Sequence, residues 1–198
     1  MAKDTILQTE YVLLNTITEL FNKALVSDTI DFFNFDNDTV FTLFKSGNII
    51  SKTEKNAIIV VVSDMTCLLK LYSIQNDKWE LTDSISNLED MYVVNFDIIF
   101  DDYNFDGQTD IFLRASASNG YVISRGHLII IDPKTKKFEL HKEAREFGNM
   151  KLDPKTKTIK SEEVNWNDYG ERYVKIFTHK WKNGKLKTIS KKNVELHY

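Results

Sequence analysis

From residue 40 onward this chain is written in short runs of β-branched and aromatic residues, each closed by turn chemistry. Strands are expected over Val40 to Phe44, Ala57 to Val62, Cys67 to Ser73, Lys78 to Thr82, Tyr92 to Phe100 and Asp110 to Ala115. Further strands are expected over Tyr121 to Ile131, Lys137 to His141, Thr158 to Asn165, Arg172 to Trp181 and Lys185 to Ile189. Asn183-Gly184 suits a two-residue hairpin turn, and Gln75-Asn76-Asp77-Lys78 closes a second hairpin in the same style. Both prolines fall in one repeated phrase, Asp132-Pro133-Lys134-Thr135-Lys136 and Asp153-Pro154-Lys155-Thr156-Lys157. There Asp caps the turn and Pro presets the angle of its second position. Successive hairpins make an antiparallel meander, and closure into a propeller-like or barrel-like array would remove its exposed edges.

One segment departs from this mainly β pattern. Leu7, Tyr11, Leu14, Ile17, Leu20, Phe21, Ala24 and Leu25 recur at helical spacing, so an N-terminal amphipathic helix is expected over 4–25, with Asp4 as its N-cap. The length of 198 residues leads to the expectation of a single domain, this helix followed by a β-rich body over 40–190. The lone Cys67 excludes a disulfide scaffold and, in its apolar run, reads as a buried thiol. No window reaches the roughly eighteen apolar residues of a membrane span, and Met1-Ala2-Lys3-Asp4 lacks the apolar core of an export signal.

Charge is uneven. Residues 1–132 hold nine Lys and Arg against twenty Asp and Glu, whereas residues 133–198 hold seventeen against nine. Solvation of the surface accounts for such lysines by default, and a net acidic chain gives little support to nucleic-acid binding. No catalytic signature is present either. His127, His141, His179 and His197 lie far apart, and neither a zinc-protease motif nor a nucleophile elbow nor a phosphate loop occurs. Adjacent Glu162 and Glu163 would point to opposite faces of a strand, so they are poor acid-base partners. Trp79, Trp166, Trp181, Tyr169 and Tyr173 read as core rather than as a glycan platform. The chain is therefore expected not to be an enzyme.

The stretch from Asp102 to Asp110, Asp-Tyr-Asn-Phe-Asp-Gly-Gln-Thr-Asp, carries the chemistry. Calcium takes about six to eight oxygens, and a short loop supplies them when oxygen side chains stand at positions one, three and five before a glycine turn. Asp102, Asn104 and Asp106 fill those places, Gly107 makes the turn, Gln108 offers a carbonyl, and Asp110 ligates directly or through water. Asp101 stands in reserve. Position twelve is Leu113 rather than a bidentate Glu, and strand rather than helix follows, so a helix-loop-helix hand is not expected. The alternative is a polar turn in which Asn and Asp bond their own backbone. The related phrases Asn34-Phe35-Asp36 and Asn95-Phe96-Asp97 lack the glycine, and Asp31, Asn34, Asp36 and Asp38 read as a solvated loop rather than a second cation site.

From Phe100 to about Leu186 the chain resembles bacterial cell-envelope β-proteins related to invertebrate-type lysozyme inhibitors. The calcium loop feeding a strand, the two Asp-Pro-Lys-Thr-Lys phrases and Lys180-Trp181-Lys182-Asn183-Gly184-Lys185-Leu186 carry the likeness, which spans under half the chain. The resemblance implies a propeller-like β fold, a structural Ca2+ in the loop, and a secreted protein at the periplasm or cell surface, its export signal removed. Some members of that group block peptidoglycan hydrolases with a short Ser, Gly and Tyr loop. Ser118, Asn119, Gly120 and Tyr121 occupy a comparable place here, so they are the expected contacts to such an enzyme. The alternative is a calcium-stabilised surface module that binds glycan or protein without inhibiting anything.

Overall fold

A computed structural model describes residues 15–36, 39–63, 65–91, 93, 96–118, 123–166 and 172–195. Among the described residues, thirteen strands form three antiparallel sheets behind one helix. The chain divides into two compact units, residues 1–88 and 89–198.

In the first unit, helix α1 (15–26) precedes a five-stranded meander in which every strand pairs with its sequence neighbour. The strands are β1 (Ile30–Asp36), β2 (Val40–Gly47), β3 (Asn56–Ser63), β4 (Thr66–Gln75) and β5 (Lys78–Leu88). Leu20 and Ala24 of α1 are buried with Phe44, Ala57 and Ile59, and Ile17, Phe21, Tyr72 and Trp79 pack around them. This is the apolar stripe of the expected helix meeting one face of the sheet; the part of that expectation over 4–14 lies outside the described residues. The Trp79 indole donates to the Phe21 carbonyl at 3.0 Å, tying β5 to the helix. The other face of β3 and β4 is buried as well at Ile58, Val60, Leu69 and Leu71, which is why β3 reads as a near-continuous apolar run. Cys67 is 1% exposed and burial pushes its thiol up to about 12, so it is a packing residue and not a nucleophile.

Strand β1 is a departure from the sequence reading, which had treated 31–38 as a solvated loop. Its polar residues are absorbed by β2: Phe32 stands opposite Phe44, and Asp31 pairs with Lys45 directly across the ladder. A second cation site built from Asp31, Asn34 and Asp36 is thereby replaced by strand; residues 37 and 38 lie outside the described residues.

The second unit holds two four-stranded meanders. One contains β6 (Asp97–Asp101), β7 (Asp110–Ser118), β8 (Ile123–Ile131) and β9 (Phe138–His141). A short 3-10 turn (Lys142–Glu146) leads to the other, β10 (Lys151–Asp153), β11 (Thr158–Trp166), β12 (Arg172–Lys182) and β13 (Lys185–Glu195). Phe112, Leu128 and Ile130 of the first sheet share a core with Ile159 and Leu186 of the second, and Trp181 packs against it. Gly126 lets β7 and β8 approach closely: a Cβ there would meet the Leu113 carbonyl oxygen at 2.1 Å.

The turns follow the expected chemistry. Asn76 and Asp77 (φ 49° and 60°) and Asn183 and Gly184 (φ 51° and 70°) are two-residue hairpin turns with both central residues at positive φ. In both repeated phrases the Asp side chain caps the turn, accepting from Lys134 and Thr135 (2.9 and 2.7 Å) in one and from Lys155 and Thr156 (3.2 and 3.3 Å) in the other. Those bonds hold both carboxyls below the usual range. The coarse expectation, mainly β antiparallel meanders behind one helix, is what forms. Among the described strands no barrel closes, because β1, β5, β6, β9, β10 and β13 each pair on one side only.

Candidate metal centre

The Asp102–Asp110 segment links the ends of β6 and β7, where Asp101 and Asp110 are cross-strand partners, so its ends are pinned and its eight intervening residues must turn tightly. Phe105 and Gly107 take up the turn at φ 62° and 89°. A β-carbon at Gly107 would meet nothing within 4 Å, so glycine is required there by backbone angle and not by space.

The structure brings Asp102, Asn104 and Asp106 together. Asp102 Oδ1 and Asn104 Oδ1 both accept the Asp106 N–H (3.0 and 2.9 Å), and Asp102 Oδ2 accepts the Gly107 N–H at 2.9 Å. Asn104 Nδ2 donates to Asp106 Oδ2 at 2.9 Å, and Asp106 Oδ1 accepts from Gln108 N at 2.8 Å. Each carboxylate oxygen offers more than one lone pair, so these bonds shape the loop while leaving acceptor capacity on its outer side. Asp106 is exposed and Asp102 half-buried.

Asp110 is turned the other way. It is fully buried, with Oδ2 accepting from Tyr103 N and Asn104 N (3.0 and 3.2 Å) and Oδ1 from Ile131 N (3.1 Å). Burial pushes its pKa up to about 7, against the pull of those three N–H donors, which favour the carboxylate. Asp110 thus braces the loop from beneath, stitching its first turn to β8. Among the described residues, no three His, Cys, Asp or Glu side chains gather as a cation-holding group. The side-chain oxygens that the loop brings together are those of Asp102, Asn104 and Asp106, and Gln108, nominated for its carbonyl, follows them with its N–H bonded to Asp106. Asp101 accepts from Asp102 N at 2.8 Å and stays at the strand end.

Two further braces come from distant residues. The Trp181 indole donates to the Tyr103 carbonyl at 2.8 Å, and Lys157 Nζ lies 3.4 Å from the Phe105 carbonyl. Nothing local in the sequence marks either contact, since the partners are 78 and 52 positions apart. Trp79 and Trp181 are both anchored in their cores, as expected of them. Of the expected enzyme-contacting residues, Ser118 ends β7 opposite Ile123, while Asn119, Gly120 and Tyr121 lie outside the described residues, as do Tyr169 and His197.

The other histidines are occupied individually. His127 Nε2 lies 3.0 Å from the Glu89 carbonyl, His141 sits between Glu139 and Glu143 at 3.6 and 3.3 Å, and His179 is held by Ser161 and Thr188. Glu162 and Glu163 diverge, one toward Lys151 and the other toward Lys175.

No protein-family model matches this chain, and no curated protein matches it significantly. No helix among the described residues is long and apolar enough to cross a membrane.

Proposed function

We propose that this protein is a calcium-binding β-module of the cell envelope that acts by holding a partner rather than by catalysis. The observation that carries the metal half is the convergence of Asp102 and Asn104 oxygens on a single amide, with Asp106 beside them, on a turn closed at Gly107. With two carboxylates as its charged ligands, the loop should bind weakly, in the range of about 10⁻⁴ to 10⁻³ M used by extracellular modules, because affinity rises with ligand charge and site rigidity. Such a site fills outside the cytosol. The ion would brace a turn already held from beneath by Asp110 and from the side by Trp181, which is a structural role.

The partner half rests on the resemblance to lysozyme-inhibitor-related proteins, which makes a peptidoglycan hydrolase the class of partner and Ser118 to Tyr121 the contacting segment. Ser118 ends β7, the strand that Asp110 of the braced loop begins. An inhibition assay against a panel of lysozyme-like hydrolases, run with calcium and with chelator, tests this. Inhibition in calcium that weakens in chelator is expected, with Tyr121→Ala costing about 2 kcal/mol of binding as an aromatic anchor. No effect on any hydrolase at micromolar protein favours the non-inhibitory surface module, and turnover of peptidoglycan or glycosides by the protein itself would overturn the binding role altogether.

A further inference from the structure

The outer face of the β10–β13 sheet bears an arrangement of lysines that only the strand register reveals. Lys151 stands directly opposite Lys160, Lys180 opposite Lys187, and Lys182 opposite Lys185. All six are exposed. They share one face: Lys160 is the partner of Thr178, and Thr178, Lys180 and Lys182 alternate along β12 with His179 and Trp181, which turn inward. Like charges directly opposite on a sheet repel, and this same sheet shows the usual remedy elsewhere, with Glu163 opposite Lys175 at 4.0 Å. Among the described residues, only Lys151 of the six has a carboxylate within ion-pairing reach, Glu162 at 3.2 Å. The Lys180/Lys187 and Lys182/Lys185 pairs, side by side at one end of the sheet, make a positive field on an otherwise acidic protein, with Lys151 and Lys160 beside the carboxylates of Glu162 and Asp153.

We propose that this face adsorbs to an anionic lipid membrane surface. Charge complementarity sets the sign of the partner, and the layout sets its shape. The lysines spread over all four strands, roughly 14 Å across the ladder and a similar distance along it, which is an area and not a row. A linear polyanion needs a groove with stacking rings, and the rings of Phe177 and Trp181 belong to the opposite face. The cations are lysines, point charges on flexible stems, and not the rigid forks that read individual phosphates or carboxylates bidentately. An anionic bilayer asks for no stereospecific contact and accepts such a carpet. This attraction is independent of the calcium loop.

Co-sedimentation of the full chain with vesicles of phosphatidylglycerol and phosphatidylcholine, against phosphatidylcholine alone, in chelator, tests it. Binding is expected only to the anionic vesicles and should fade as salt shortens the screening length. Each lysine near such a surface contributes roughly fivefold to partitioning, so the K180Q/K182Q/K185Q/K187Q variant should bind several hundredfold more weakly. Its melting temperature should hold or rise, because two repulsive pairs are relieved, and this separates lost binding from lost folding. Equal binding to neutral vesicles, no binding to anionic ones at low salt, undiminished binding by the folded variant, or retention by a soluble phosphodiester polymer in place of the vesicles would each overturn the proposal.

Discussion

Asp110→Ala should destabilise residues 89–198 by roughly 3 to 5 kcal/mol, the largest effect expected of any substitution in the loop. The carboxylate is fully buried and accepts three backbone N–H groups, from Tyr103, Asn104 and Ile131. Each buried donor left without a partner costs about 1 to 3 kcal/mol, and water can reach the two in the loop more easily than the one in β8. Asp110→Asn should fall between, because one acceptor oxygen survives while the new amide presents N–H to N–H. Denaturant unfolding followed through Trp181 fluorescence measures both. A loss below about 1 kcal/mol for the alanine variant would show that the loop does not hang from this side chain.

Protonation of His179 should cost the same unit stability as pH falls below 6.5. The ring is fully buried, with Nε2 at 2.7 Å from Ser161 Oγ, Nδ1 at 3.0 Å from Thr188 Oγ1, and Phe147 stacked on it at 3.8 Å. Burial lowers its pKa from 6.5 to about 4. The unfolded chain therefore takes up a proton below pH 6.5 that the folded one refuses until about pH 4. The His179 contribution is complete above pH 6.5 and falls as pH drops toward 4, by up to one proton's worth, about 1.4 kcal/mol per pH unit and on the order of 3 kcal/mol in all. Burial also lowers His127, which adds a slope of the same sign, whereas the raised pKa of Asp110 gives a slope of opposite sign as pH falls below about 7. His179→Phe isolates the contribution: its baseline is lower, with two hydroxyls left unpaired, but its deficit against the wild type should shrink as pH falls from 6.5 to 4. An equal slope in wild type and variant would assign the acid sensitivity elsewhere.

Where chemistry is local, the sequence was legible. Asn76-Asp77 and Asn183-Gly184 announce their turns through residues that tolerate positive φ, and those turns then fix the registers Gln75↔Lys78 and Lys182↔Lys185. Gly107 was legible for the same reason. Strand β1 was not, because its Asp31, Asn34 and Asp36 look like a solvated loop until Lys45 and Phe44 are placed across from it. Strand β10 is three residues long, too short to carry a period. Asp110 is the instructive case in the candidate site. Spacing along the chain counts oxygens but does not say which way a carboxylate turns, and the direction here is set by Ile131, a strand away. The lysine pairs were hidden likewise: composition shows a basic third, but only register places the charges opposite one another.

The central claim, that the loop holds calcium, is tested most directly by calorimetric titration of chelator-stripped protein with calcium chloride, with thermal unfolding alongside. One site is predicted, with Kd between about 10⁻⁴ and 10⁻³ M, and a stability gain of about 1.4 kcal/mol once calcium exceeds Kd tenfold. Both signals should vanish in an Asp102→Ala, Asp106→Ala double variant that still folds. A folded wild-type protein giving no binding heat and an unchanged melting curve at about 10 mM calcium, well above that range, would contradict the claim and leave the Asp102 to Asp110 segment as a turn that only bonds its own backbone.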